Sequence, residues 1–265
     1  MSTDTPATTP IPAAAADTPA ARGRISFGTL LRVETRKLVD TRTSLILTAA
    51  LGALTLAFVV GRGLVMGVAD LFTLAGTAAL ALGTLLPVLG ILSVTGEWSH
   101  RTALTTFTLE PRRGRVLAAK CLPVLAMAVA GCLLALLVAV PMTAASAAVA
   151  GVEATWRLEP ALVLGWIATL VVTTAEGLAL GLLCLNAPAA IVIYLVAPMV
   201  WGFARSLGPV GETLAEWLDL NVATNALMDG ALTGETVPRL VTAVVAWIVV
   251  PMAVGVLRVL RKDVH

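Results

Sequence analysis

Residues 160–204 read PALVLGWIATLVVTTAEGLALGLLCLNAPAAIVIYLVAPMVWGFA, with Glu176 the sole charged side chain. A helix needs about 20 mostly apolar residues to cross the hydrocarbon core of a bilayer, and this stretch is long enough for two. Asn186, Ala187 and Pro188 fall near its middle. The residue before a proline avoids the helical region, so a tight turn is expected there between spans over 161–185 and 188–206.

Working outward, uncharged windows locate four more spans. Arg42 and Arg62 bracket one at 43–61, and Asp70 and Glu97 bracket another at 71–95. A longer window gives 121–148, with Pro123 and Pro141 inside it, and Arg239 and Arg258 bracket the last at 239–258. The composition agrees: 58% of the 265 residues are hydrophobic and 13% charged, against roughly 45–50% and 25% in a soluble domain. The expected fold class is all-α integral membrane with six transmembrane helices.

Six spans place both ends on one side, and the positive-inside rule selects it. With the N-terminus inside, the inner segments hold Arg22, Arg24, Arg32, Arg36, Lys37, Arg42, Arg101, Arg112, Arg113, Arg115, Lys120, Arg258, Arg261 and Lys262. The outer segments hold only Arg62, Arg157, Arg205 and Arg239. Fourteen against four predicts an N-in, C-in topology. Trp98 inside and Trp156, Trp201 and Trp217 outside sit near the expected interfaces.

Two further segments are expected to lie along the membrane. Over 24–43, Phe27, Leu30, Leu31, Glu34 and Leu38 fall at roughly helical spacing, and Arg32, Arg36 and Lys37 would face anionic headgroups, so an inner interfacial helix is expected. On the outside, Glu212, Glu216 and Asp219 share one helical face, with Leu214, Trp217 and Leu218 opposite, before the last span. Residues 1–23, rich in Ala, Pro and Thr, lack a basic region followed by an apolar one and read as a disordered cytoplasmic tail rather than a signal peptide.

Several chemistries leave no trace. No GxxxxGK[ST] loop occurs, nor a GxGxxG after a strand pattern, so ATP binding of the P-loop kind is excluded for this chain. His100 and His265 are the only histidines, with no HExxH and no clustered ligands, and neither a metal, a cofactor nor a catalytic constellation is expected. Cys121, Cys132 and Cys184 lie in apolar stretches and read as small packing residues. The net charge of +2 gives no field for nucleic acid.

The inner loop over 96–120, GEWSHRTALTTFTLEPRRGRVLAAK, is long and patterned. Glu97 stands where the second span leaves the membrane, with Arg101 four residues on as a pairing partner. Trp98, Leu104 and Phe107 form an apolar edge, and Glu110 to Arg115 make a basic turn. This order resembles the permease subunits of type-2 ABC transporters, which include drug, bacteriocin and polysaccharide exporters. The resemblance rests on Glu34 and Lys37 before the first span, then Gly96, Glu97 and Trp98, a threonine-rich stretch from Thr102, Pro111 to Arg115, and Lys120. It covers nearly all of the chain after Arg24.

What the resemblance implies is a multi-pass subunit of a bacterial cell membrane, an exporter working as a homodimer or with a related permease through surfaces on spans two and five. The loop would be a coupling helix seated on a separate nucleotide-binding ATPase subunit. Glu97, Trp98, Arg101 and Thr102 carry over as partner-coupling positions, with Arg112, Arg113 and Arg115 after them; the arginines equally suit topological anchoring at headgroups.

Glu176 is a separate matter. Burying its charge within a span costs at least ~2.5 kcal/mol, which points to an ion-coupled secondary transporter as the alternative. Yet Gly177 and Gly181 form a GxxxG beside it, and Thr169, Thr173 and Thr174 surround it, so a satisfied contact between helices is an equal reading. No cluster of side chains identifies a substrate.

Overall fold

The computed structural model describes residues 26–99 and 112–261, and among them six helices are long and apolar enough to cross a membrane. The chain is built as a multi-pass membrane protein. Helix α1 spans Phe27–Asp40 and begins where the Ser26 hydroxyl accepts from the Thr29 amide at 3.1 Å. Thr41 ends α1 and caps α2, Arg42–Met66, by accepting from the Ser44 amide at 3.3 Å. Gly67, in the left-handed region at φ +66°, closes α2.

Helices α3 (Leu71–Gly76) and α4 (Ala79–Ser99) together form the second candidate span, Leu71–Trp98. Asp70 caps α3, and the chain beside it makes a single parallel bridge with Thr155. The third span is α5, Arg113–Ala150, which runs through both Pro123 and Pro141. Helix α6 spans Pro160–Cys184 and α7 Ala187–Arg205, divided at the expected place: Leu185 takes a left-handed conformation and the Asn186 side chain caps α7 by accepting from the Ala189 amide at 3.0 Å.

Helices α8 (Pro209–Leu218) and α9 (Leu220–Met228) follow, and then α10 (Thr236–Val244) passes through a π-helical turn at Val245–Val249 into α11 (Val250–Arg261). The amphipathic segment expected before the last span is therefore two short helices, and its acidic face is corrected. Asp219 does not share a solvated face with Glu212 and Glu216; it is 1% exposed, because it caps α9 through the Asn221 amide at 3.0 Å and accepts from Arg205 at 3.2 Å. Glu216 pairs instead with Arg239 at 3.1 Å.

Helix α6 and the α3–α4 span form the centre. Over its most apolar stretch α6 is 56% buried and the α3–α4 span 50%, against 11% for α7. Small residues make that centre close. A Cβ on Gly177 would meet the backbone of Pro87, and one on Gly181 would come within 3.1 Å of the Ile91 Cα, so the GxxxG of α6 is the seam against α4. Glycine on α11 does the same on another side: a Cβ on Gly255 would stand 2.6 Å from the Leu182 carbonyl carbon.

The proline at that seam has a consequence for α7. Pro87 lacks an amide hydrogen, so the Gly83 carbonyl one turn earlier loses its helical donor. The Tyr194 hydroxyl, from α7, donates to it. A polar defect in an apolar helix thus becomes the tie that holds the peripheral fifth span to the centre.

Candidate functional site

At one end of the bundle, α1 presents Leu30, Glu34 and Leu38 at four-residue intervals, and these are its buried residues. Leu30 packs with Val116 and Ala119 of α5, while Leu38 joins Val94 of α4 and Leu117 of α5. Packing α1 this way carries Glu34 into the gap between the end of α4 and the second turn of α5. Glu97 enters the gap from α4 and Lys120 from α5.

The four charges there close into a ring. Lys120 Nζ lies 2.9 Å from Glu34 Oε2 and 2.8 Å from Glu97 Oε1; Lys37 Nζ lies 2.7 Å from Glu34 Oε1 and 3.0 Å from Glu97 Oε1. Two lysines and two glutamates balance. Lys120 and Glu34 are almost fully buried, with side chains 4% and 6% exposed, whereas Lys37 opens to solvent. Buried charges survive only when paired and hydrogen-bonded, and each of these has two partners.

Burial alone would lower the Lys37 pKa, but the hydrogen bonds and charges of Glu34 and Glu97 outweigh it and hold the group above its ordinary value of 10.5. A raised folded-state value means that the stability Lys37 contributes is fully present below 10.5 and is lost only as the pH climbs through the raised value. The melting-temperature difference between wild type and Lys37→Met should accordingly stay constant from neutral pH to about 10.5 and shrink above it. A difference that disappears at mildly alkaline pH would contradict this geometry.

Of the residues singled out from sequence, Glu97 is in the ring, and Trp98 beside it packs on the apolar cluster around Val94 and Leu117. Arg101 and Thr102 lie outside the described residues, as do 1–23, His100 and the remainder of the loop to Pro111. The expected Glu97–Arg101 pair thus falls outside the described residues; among those described, Glu97 pairs with Lys37 and Lys120. Arg112 is the exposed residue before α5, and Arg115 lies in its first turn.

Arg113 turns toward another helix. It donates to the Val259 carbonyl at 2.5 Å and the Leu260 carbonyl at 3.3 Å, meeting the acceptor-rich end of α11. Arg258 likewise donates to the Leu183 carbonyl at the end of α6. These contacts gather α1, the end of α4, the start of α5 and the ends of α6 and α11 at one face. Both described chain ends therefore meet at the same side of the bundle.

The loop expected over 96–120 is shorter at both ends than its charges implied. Residues 96–99 complete α4, and 113–120 are the opening turns of α5. Lys120 is thus a helical residue two turns inside α5, which is what lets it reach Glu34 and Glu97.

Glu176, on α6, is not a member of this ring. It is 5% exposed, one turn beyond Thr173, with Asp219 and Tyr194 as its ionisable neighbours. The neighbouring Gly177 and Gly181 press against α4, so Glu176 stands beside a close helix–helix seam. Comparison with known proteins leaves the family open: no family model matches the chain, and no curated protein matches it significantly.

Proposed function

We propose that this chain is the membrane-spanning subunit of a type-2 ABC exporter, coupled to a separate P-loop ATPase through the segment between α4 and α5. The observation that carries the reading is the ring of Glu34, Lys37, Glu97 and Lys120. It ties α1 to the last turn of α4 and the first turns of α5, the two helices that flank residues 100–112. Force applied to that segment by a closing pair of ATPase subunits reaches three helices at once, because none of them can move without breaking buried ion pairs.

Charge supports the orientation. Among the described residues, ten of the inner set of Lys and Arg lie toward the ring end and four toward the opposite end, which supports a ring facing the cytoplasm with α1 in the inner interface. A second copy of the chain, or a related permease, completes the pathway in the plasma membrane of a bacterium. An ion-coupled mechanism centred on Glu176 is the competing reading, favoured by its burial without a basic neighbour on the adjoining turns of α6.

Affinity purification of tagged protein from native membranes, with mass spectrometry of what accompanies it, separates the two. Wild type should recover a P-loop ATPase, and Glu97→Ala should recover less of it. Absence of any ATPase under mild detergent, together with proton-dependent transport abolished by Glu176→Gln, would replace the first reading with the second.

A further inference from the structure

Helices α8 and α9 form a hairpin that dips back into the bundle from the end opposite the ring. A Cβ on Gly165 of α6 would meet the Leu227 carbonyl, the Thr169 hydroxyl donates to the Thr224 carbonyl at 3.5 Å, and Leu220 and Ala223 join Val172, Ala175 and Ala179 of α6 in one apolar cluster. The start of α9 is therefore its deepest part. Thr169 already lies about 14 Å along α6 from Pro160, at 1.5 Å per residue. Asn221, nearly a turn before Thr224, stands at membrane depth.

Leu220, Ala223 and Thr224 are the buried face of α9, whereas Asn221 and Asn225, one turn apart, are exposed. An amide turned toward acyl chains loses its hydration and gains nothing in return, so two of them in line at this depth face water or polar groups. They line a cavity of about 600 Å³ together with Thr77 and Thr84 of the α3–α4 span. Those hydroxyls donate to the carbonyls of Thr73 and Leu80, one turn earlier, and keep their oxygens free to accept. Among the described residues, Arg62 is the only charged one lining the cavity.

We propose that this wall is the water-filled outer part of the transport path, and that the cargo shows it uncharged hydrogen-bonding groups and carries no fixed positive charge. Amides and hydroxyls replace the hydration of dipoles, while the lone arginine and the apolar surroundings oppose a cation. The proposal rests on the transporter reading above but needs no ATPase.

Thiol accessibility in full-length protein in nanodiscs tests it, with wild type giving the background from Cys121, Cys132 and Cys184. Asn221→Cys and Asn225→Cys are each treated with hydroxyethyl and with trimethylammonioethyl methanethiosulfonate. Every rate is divided by that of the same reagent at Glu235→Cys, which is exposed beyond the hairpin. Both positions should react with the neutral reagent within about tenfold of Glu235→Cys, and about tenfold more slowly again with the cationic one. Leu56→Cys, exposed on the apolar flank of α2, should stay at background. Either asparagine position reports the path if the other variant fails to fold. Background rates at both would place α9 against lipid or a second copy and overturn the path; a cationic rate equal to the neutral one would overturn the cargo assignment. No ATPase is present, so failure of the co-purification above and failure here are separate results.

Discussion

Lys120→Met should destabilise the protein by about 3–5 kcal/mol, the range for removing one partner from a buried ion pair. Lys120 is the only member of the ring bonded to both carboxylates from a nearly fully buried position. Its loss leaves Glu34 and Glu97 sharing Lys37, which solvent already reaches. Methionine fills most of the lysine's volume, so the effect reports charge rather than a cavity. Denaturation in mixed detergent micelles measures it. Adding Glu97→Gln should recover part of the loss, because Lys37 is then left with a single carboxylate to balance; additive losses would show that the two residues are not coupled.

Gly177→Ala should cost about 1–3 kcal/mol, although the change adds one methyl group. That methyl would stand 2.7 Å from the Pro87 Cα and 2.8 Å from its carbonyl carbon, and backbone cannot step aside as a side-chain tip can. Relief requires α4 and α6 to separate at the centre of the protein. Gly52→Ala on α2 is the control: nothing lies within 4 Å of a Cβ there, so the substitution should be neutral or add up to ~1 kcal/mol through helix propensity. Equal effects at the two positions, read as melting temperatures of purified protein, would show that the seam is looser than described.

Apolar windows made the six spans legible, because a bilayer-sized run of uncharged residues has few other uses. The turn at Asn186 was legible from proline chemistry, and the structure places its capping side chain there. The helices run on past charges that bracket the apolar windows where those charges find partners. Helix α5 begins at Arg113 rather than near 121, since Arg113 is met by carbonyls of α11 and Lys120 by two glutamates. Asp219 misled in the same way: helical spacing put it on a polar face, while a capping bond and Arg205 draw it inward.

Glu97 was recognisable as a candidate, but its partners were not. Local spacing offers only Arg101, which lies outside the described residues, and it cannot offer the ring partners, since the ring joins Glu97 to Lys37 across 60 residues and Glu34 to Lys120 across 86. No periodicity in one chain reports such pairs. One signal was present: the chain has three lysines, Lys37, Lys120 and Lys262, and two of them are in the ring. The GxxxG beside Glu176 announced a close helix contact, though only the structure shows that Pro87 of α4 is what it meets.

The most direct test of the central claim, that the segment between α4 and α5 is where an ATPase docks, is photo-crosslinking in native membranes. A photoreactive residue is placed at Thr102 in one variant and at Glu235, toward the opposite end of the bundle, in another. A covalent adduct between a P-loop ATPase and the Thr102 variant, absent from the Glu235 variant, is the expected result. No ATPase adduct from Thr102, or one of equal yield from Glu235, would contradict it.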